Sequence, residues 1–205
     1  MARSSDRRST LALVLLSLLA EEPMHPYRMQ QMIKQRGKDR IANVAARNSV
    51  YQTIDRLLRA ELIAVRETSR DERRPERTVY ELTAAGDTAL REWIGGMLAA
   101  PAREFPEFPA ALASLMLLAP DEVRARLAER AAALSEEVDQ VRAELAAFPE
   151  LPRLFRLDEE YTLAVREAEL RWVEGVVAAL RSGELTWSLE WIRAIAEELE
   201  GAGPA

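Results

Sequence analysis

The most restrictive feature of this chain is a change of hydrophobic period near residue 62. Before it, apolar residues recur at helical spacing. From Leu62 to Leu82 they alternate in two short runs, Leu62-Ile63-Ala64-Val65-Arg66-Glu67-Thr68 and Arg77-Thr78-Val79-Tyr80-Glu81-Leu82. Alternation places every second side chain on one face of a strand, whereas a 3.6-residue period draws a stripe along a helix. Between the runs lies Ser69 to Glu76, all polar or proline, so the pair predicts a hairpin with a long charged tip.

Three helical patterns precede the hairpin. Ser9 and Thr10 can cap a helix that is almost wholly apolar from Leu11 to Ala20 and runs to Glu22. A membrane span needs roughly 20 apolar residues, so this run is too short. A secretory signal would need small residues where Glu21, Glu22 and Pro23 stand. The expectation is a buried core helix in a cytoplasmic protein with no membrane partner. The second pattern starts at Pro26, carries Tyr27, Met29, Met32 and Ile33, and stops at Gly37, with Arg28, Gln31, Lys34 and Gln35 on its other side. The third is capped by Asn48 or Ser49 and buries Val50, Ile54, Leu57 and Leu58. Ser49, Gln52, Thr53, Arg56 and Arg59 occupy the opposite side, which suits a helix lying on a polar surface.

Three helices followed by a two-stranded ribbon is the winged helix-turn-helix order. Thr83 opens a fourth helix with Ala89, Leu90, Trp93, Ile94, Met97 and Leu98 on a broad apolar side, weakened internally by Gly95-Gly96. Pro101, Pro106 and Pro109 then mark a boundary. The remainder reads as helical: Val123, Leu127, Ala131, Leu134, Val138, Val141, Leu145 and Phe148 form one seam from a Pro120 start. Pro149 and Pro152 break it. A second long helix runs from Asp158 towards Arg181, with Tyr161, Val165, Ala168, Trp172 and Val176 on one side and Val173, Val177 and Leu180 adjacent. Gly183 ends it, and Thr186 caps a final helix with Trp187, Trp191, Ile192, Ile195 and Leu199. The fold class is mainly α: a winged helix-turn-helix over 1–98, including its linking helix, and a helical dimerisation domain over 110–200.

Several function classes fall away. The chain has no cysteine and one histidine, His25, so disulfides, thiolate metal sites and histidine metal sites are not expected. No phosphate loop and no Gly-x-Ser-x-Gly elbow is present. Glu136-Glu137 and Glu159-Glu160 are neighbours on charged helix faces and cannot converge on one substrate. Neither a catalytic site nor a cofactor is expected. The net charge of −6 argues against nucleic acid when taken whole, but residues 1–90 carry 16 Lys+Arg against 12 Asp+Glu, a balance of +4. Residues 91–205 carry 12 against 22, a balance of −10, so the first half suits phosphates better than the second.

At residue level, Leu15 to Tyr27, with its Pro23-Met24-His25-Pro26-Tyr27 turn, resembles the opening helix and Pro-Met-His-Gly-Tyr turn of the PadR family of transcriptional regulators. Ser49-Val50-Tyr51 with Leu57, Leu62 and Ile63 resembles that family's recognition-helix signature, and Arg77 to Gly86 its wing strand and helix start. The three stretches keep the family order across residues 11–90. Pro26 stands for the usual glycine, Glu61 for the glycine before Leu-Ile, and Gln52 where proline is common. The C-terminal half resembles longer PadR members in its layout of two long helices with tryptophans.

The resemblance implies a bacterial regulator that binds a palindromic operator in double-stranded DNA as a homodimer exchanging C-terminal helices, often a repressor released by a small effector. On the third helix, Asn48 and Gln52 have the donor–acceptor pair that reads adenine, and Arg56 can bond guanine or a phosphate. Ser49 and Tyr51 fit phosphate contacts, and Thr53 shares their side. The plainer reading of this row is a solvated face with Ser49 as a cap. Arg70, Arg73, Arg74 and Arg77 suit a minor groove or flanking phosphates, although Asp71, Glu72 and Glu76 dilute their charge. Lys34, Arg36, Lys38 and Arg40 suit either a DNA backbone or plain solvent, and Tyr27 either packing or a phosphate. His25 fits packing or a phosphate better than catalysis. Trp93, Met97 and Trp172, with Trp187 and Trp191, fit a pocket for a flat aromatic or drug-like effector, or else core and dimer interface. An effector would change the angle between two winged domains through Gly95-Gly96 and the Pro101–Pro109 junction. The competing function is a winged-helix protein–protein adaptor, which should expose apolar residues on the third helix where this chain has Ser, Gln, Thr and Arg.

Overall fold

In the computed structural model, which describes residues 9–41, 49–71 and 74–201, the N-terminal apolar run forms α1 (Thr10–Glu21). It belongs to the first of two units, Met1–Arg103 and Glu104–Ala205. Ser9 caps α1, its Oγ accepting from the Ala12 N–H at 3.1 Å. Leu11, Ala12, Leu15, Leu16, Leu18 and Leu19 are buried, and α1 packs against α2 (Pro26–Gln35), α3 (Ser49–Arg59), the second wing strand and α4 (Ala84–Ala99). Met29 and Ile33 from α2, Val50, Ile54 and Leu57 from α3, and Leu90 from α4 complete one core. Each fully buried leucine is stabilising by about 1.5–3 kcal/mol.

The caps follow the sequence closely. Pro26 occupies the first turn of α2, where a missing N–H costs nothing. The His25 Nδ1 accepts from the Tyr27 N–H at 3.1 Å, so the histidine is a helix cap. Gly37 follows α2 with φ 63°. In α4, Ile94 and Leu98 are exposed although their spacing suggested the apolar side, and the helix runs through Gly95 and Gly96 without a break.

The wing differs from expectation. Strands β1 (Ile63–Asp71) and β2 (Arg74–Leu82) pair antiparallel from Ile63↔Leu82 to Asp71↔Arg74, with irregularities between Val65 and Glu67 and between Ser69 and Asp71. The ladder therefore extends well into the segment 69–76 expected as a loop. An antiparallel ladder is closed by backbone groups and does not require apolar side chains, so polarity alone misplaces its end. Met24 also joins this ribbon: its N–H donates to the Tyr80 carbonyl at 3.0 Å, and the Tyr80 N–H returns to Met24 at 3.1 Å. The Pro-Met-His turn is thus stitched to β2.

A tight junction sets the wing against α4. Thr83 Oγ1 donates to the Glu61 carbonyl at 2.8 Å and accepts from the Gly86 N–H at 3.0 Å. A Cβ on Gly86 would lie 2.0 Å from the Leu62 carbonyl oxygen. Glu61 itself sits at φ 57°, where a Cβ is strained.

In the second unit, α6 (Pro120–Ala147) and α7 (Leu157–Ser182) pack against each other, preceded by α5 (Glu107–Leu112) and followed by α8 (Leu189–Gly201). Val123, Leu127 and Leu134 meet Val173, Val177 and Leu180. The stripe that α7 buries is therefore the second of the two read from sequence; Tyr161, Val165, Ala168 and Trp172 are exposed. Phe148, expected in the α6 seam, follows the helix and is exposed. Trp187 precedes α8 instead of riding on it, its Nε1 donating to the Leu118 carbonyl at 3.0 Å, and Ser188 Oγ accepts from the Trp191 N–H in the capping role expected of Thr186.

Gly86→Ala is expected to lower stability by at least about 2 kcal/mol through overpacking. Glu61→Gly should raise it by up to about 1 kcal/mol by relieving the left-handed conformation. Urea midpoints of the two variants check both signs.

Candidate nucleic-acid interface

Because Val50, Ile54 and Leu57 are locked into the core, the opposite side of α3 is set by helix geometry. Tyr51, Gln52, Asp55 and Arg59 are exposed there, Tyr51 by 49%. Ser49 is half-buried. Thr53, expected on this side, is only 6% exposed, and its Oγ1 donates to the Ser49 carbonyl at 2.7 Å. The correction follows from spacing: Thr53 lies three residues after Val50 and four before Leu57, within the buried stripe.

Arg56 is half-buried, and its Nη2 donates to Ser9 Oγ at 2.9 Å. The serine that caps α1 therefore also grips α3, and the guanidinium is oriented by the fold before any ligand arrives. Asp55 was not singled out by the sequence reading, yet it stands on the open side one turn beyond Gln52 and one turn before Arg59.

Tyr27, 61% exposed, opens α2, and Lys34 is exposed in its last turn. Arg36 does not offer a bare charge: its two terminal nitrogens fork onto the Glu21 carboxylate, Nη2 to Oε2 at 2.7 Å. That hydrogen bond, helped by the charge of Arg36 and opposed by burial, holds the Glu21 carboxyl below its ordinary value. Arg28 pairs likewise with Glu22. Arg74 and Arg77 fall on β2; Asn48 and Arg73 lie outside the described residues. Tyr80, half-buried on β2, has its phenol pushed up by burial and then by the charges of Asp55 and Tyr51.

The three residues expected around an effector fall in different units. Trp93 and Met97 are half-buried on α4, Trp93 against the first core. Trp172 lies on α7, 49% exposed and edge-on to Phe108 at 6.1 Å, while the Arg130 guanidinium covers the Phe108 ring at 3.6 Å. Among the described residues, no group of His, Asp and Glu is arranged to hold a metal ion, and no helix is long and apolar enough to cross a membrane.

Three helices, a two-stranded wing and an open polar side on α3 define a winged helix-turn-helix. Residues 15–92 match the model of the transcriptional regulator PadR-like family. A comparison with curated proteins finds no match. Among solved structures, Bacillus subtilis PadR in complex with operator DNA aligns with a TM-score of 0.68 and 16% identity over 84% of this chain and 99% of that one. The same protein in complex with p-coumaric acid aligns with a TM-score of 0.67, 16% identity and the same coverage. The Vibrio cholerae virulence activator AphA aligns with a TM-score of 0.63 and 24% identity over 84% of this chain and 98% of that one. At these identities the likeness is one of fold.

A double-mutant cycle isolates the Ser9–Arg56 contact. Ser9→Ala alone should cost about 1 kcal/mol through loss of the cap. Combined with Arg56→Ala, urea unfolding should reveal a coupling of about 0.5 kcal/mol or more; additive losses would mean that the contact carries no energy.

Proposed function

We propose that this protein is a cytoplasmic, homodimeric, sequence-specific DNA-binding repressor that seats α3 in the major groove of a palindromic operator and responds to a small aromatic effector. The observation that carries the reading is the open polar side of α3, held on a helix whose other side is locked into the core. Gln52 has both donor and acceptor for an adenine edge. Tyr51, Ser49, Tyr27 and Lys34 suit phosphates, which fix register without reading sequence. Asn48, Arg73, Arg74 and Arg77 extend the footprint on the same reading. Arg56 acts through the orientation that Ser9 gives it, and Thr53 supports the backbone of α3 from within.

A second copy supplies the other half-site, since two recognition helices about 34 Å apart meet successive major-groove turns. Its seat on this reading is the exposed row Leu154, Leu157, Tyr161, Val165 and Trp172, spaced three, four, four and seven residues apart. Large aromatic side chains bury 150–250 Å² each, so this row with Phe155 supplies area of the order of the about 800 Å² per partner in a standard interface. The effector class is supported by the fold neighbour that was solved with p-coumaric acid.

Selection from a random-sequence duplex library tests the reading. The wild type should enrich a palindrome and bind it with a steep salt dependence. Gln52→Ala should lose about tenfold or more in discrimination at one position per half-site while keeping weak, salt-sensitive binding. A wild type that enriches no sequence would favour the adaptor function instead. Separately, Leu157→Asp with Tyr161→Asp should convert the dimer to a monomer in sedimentation velocity, with the helical circular dichroism of the wild type retained.

A further inference from the structure

We propose that Asp55 is a specificity-determining residue of α3, its carboxylate reading the N4 amine of a cytosine in the major groove. This rests on the DNA-binding reading above and adds a base and a residue to it.

The surroundings of the carboxylate leave it on the open side. Asp55 is exposed, three residues after Gln52 and four before Arg59. Arg59 stands at the spacing where an ion pair along the helix would form, yet its Nε donates to the main-chain carbonyl of Asp55 at 3.3 Å. Arg56, the next residue, is turned towards Ser9. The Asp55 side chain makes no ion pair with any described residue. Its charge, after burial, is among the causes that push the Tyr80 phenol up.

An ionised carboxylate has acceptors and no donor. Against DNA it is repelled by phosphates and by the N7, O6 and O4 acceptors of the bases, and only an exocyclic amine rewards it. Adenine carries its amine beside N7, which opposes the second carboxylate oxygen. Cytosine carries its amine beside a C–H, which does not. Cytosine is therefore the base that this group selects, while Gln52 one turn earlier can use both the amine and N7 of an adenine. The same carboxylate lowers affinity for every sequence lacking the amine at that position.

The test repeats the library selection with wild type, Asp55→Asn and Asp55→Ala, each first shown to melt as the wild type does. The wild type should enrich cytosine at one position per half-site, adjacent to the position that Gln52→Ala relaxes. Asp55→Asn should shift that position towards adenine, which an amide can bond through amine and N7 together. Asp55→Ala should lose about tenfold in discrimination there and nowhere else, and both variants should bind random duplex more tightly. An unchanged base preference in Asp55→Ala, with affinity altered evenly across sequences, would overturn the assignment and leave Asp55 a repulsive charge only. A wild type without sequence preference would overturn the DNA-binding reading itself, which separates the two failures.

Discussion

The burial of α1 is the interaction on which the first unit stands. Ala12, Leu15 and Leu16 are wholly removed from solvent, and α2, α3, α4 and β2 all pack on this one helix. Its apolar middle supplies the free energy, at about 1.5–3 kcal/mol for each buried leucine. Its polar ends supply direction. Ser9 at the start holds Arg56 of α3, and Glu21 at the finish holds Arg36 beyond the last turn of α2. Exposed ion pairs of the second kind contribute about 0–1 kcal/mol, so their consequence is register more than stability. The helix-turn-helix is thus pinned at both ends of the same core element.

The parts of this arrangement legible in sequence were those with a period or a cap. Helical spacing located α1 to α4 and the two long helices, and Ser9, Thr83, Gly37 and Gly183 stand at the ends where their chemistry is needed. A one-residue strand has no period, so the Met24–Tyr80 pairing was invisible, although it explains why a Pro-Met-His turn faces a Val-Tyr strand. The true length of the wing was hidden because Ser69–Asp71 and Arg74–Glu76 carry turn-like polarity while their backbone continues the ladder. On α7 two apolar stripes lie side by side, about 100° apart per residue, and composition could not say which meets α6. Val173, Val177 and Leu180 do, which leaves the Tyr161–Trp172 side outward.

The α3 side shows the same limit at the scale of one residue. A row read as Ser49, Gln52, Thr53, Arg56 and Arg59 treats a helix face as a list of polar residues. The core rotates that row: Thr53 turns inward with its hydroxyl satisfied, Arg56 turns towards α1, and Asp55 comes outward beside Arg59. An acid on this side is repelled by the phosphates of a polyanionic partner. A base edge is not a phosphate, however, and the major groove offers donors as well as acceptors.

Charge then limits how such a unit can work. The balance of +4 over residues 1–90 is small, and Arg36 and Arg28 are among the charges already matched by acids, Glu21 and Glu22. Residues 91–205 add −10. At physiological salt the Debye length is about 8 Å, so acids beyond that distance from the phosphates oppose binding little, but they give no help either. Counterion release, which drives non-specific binding in proportion to phosphates neutralised, is accordingly modest for one copy. Tight binding on the proposed reading must come from base contacts and from the doubling of contacts in a dimer. On that reading the outward apolar side of α7 seats the second copy, because its exposure in a single chain carries a solvation cost that self-association would remove.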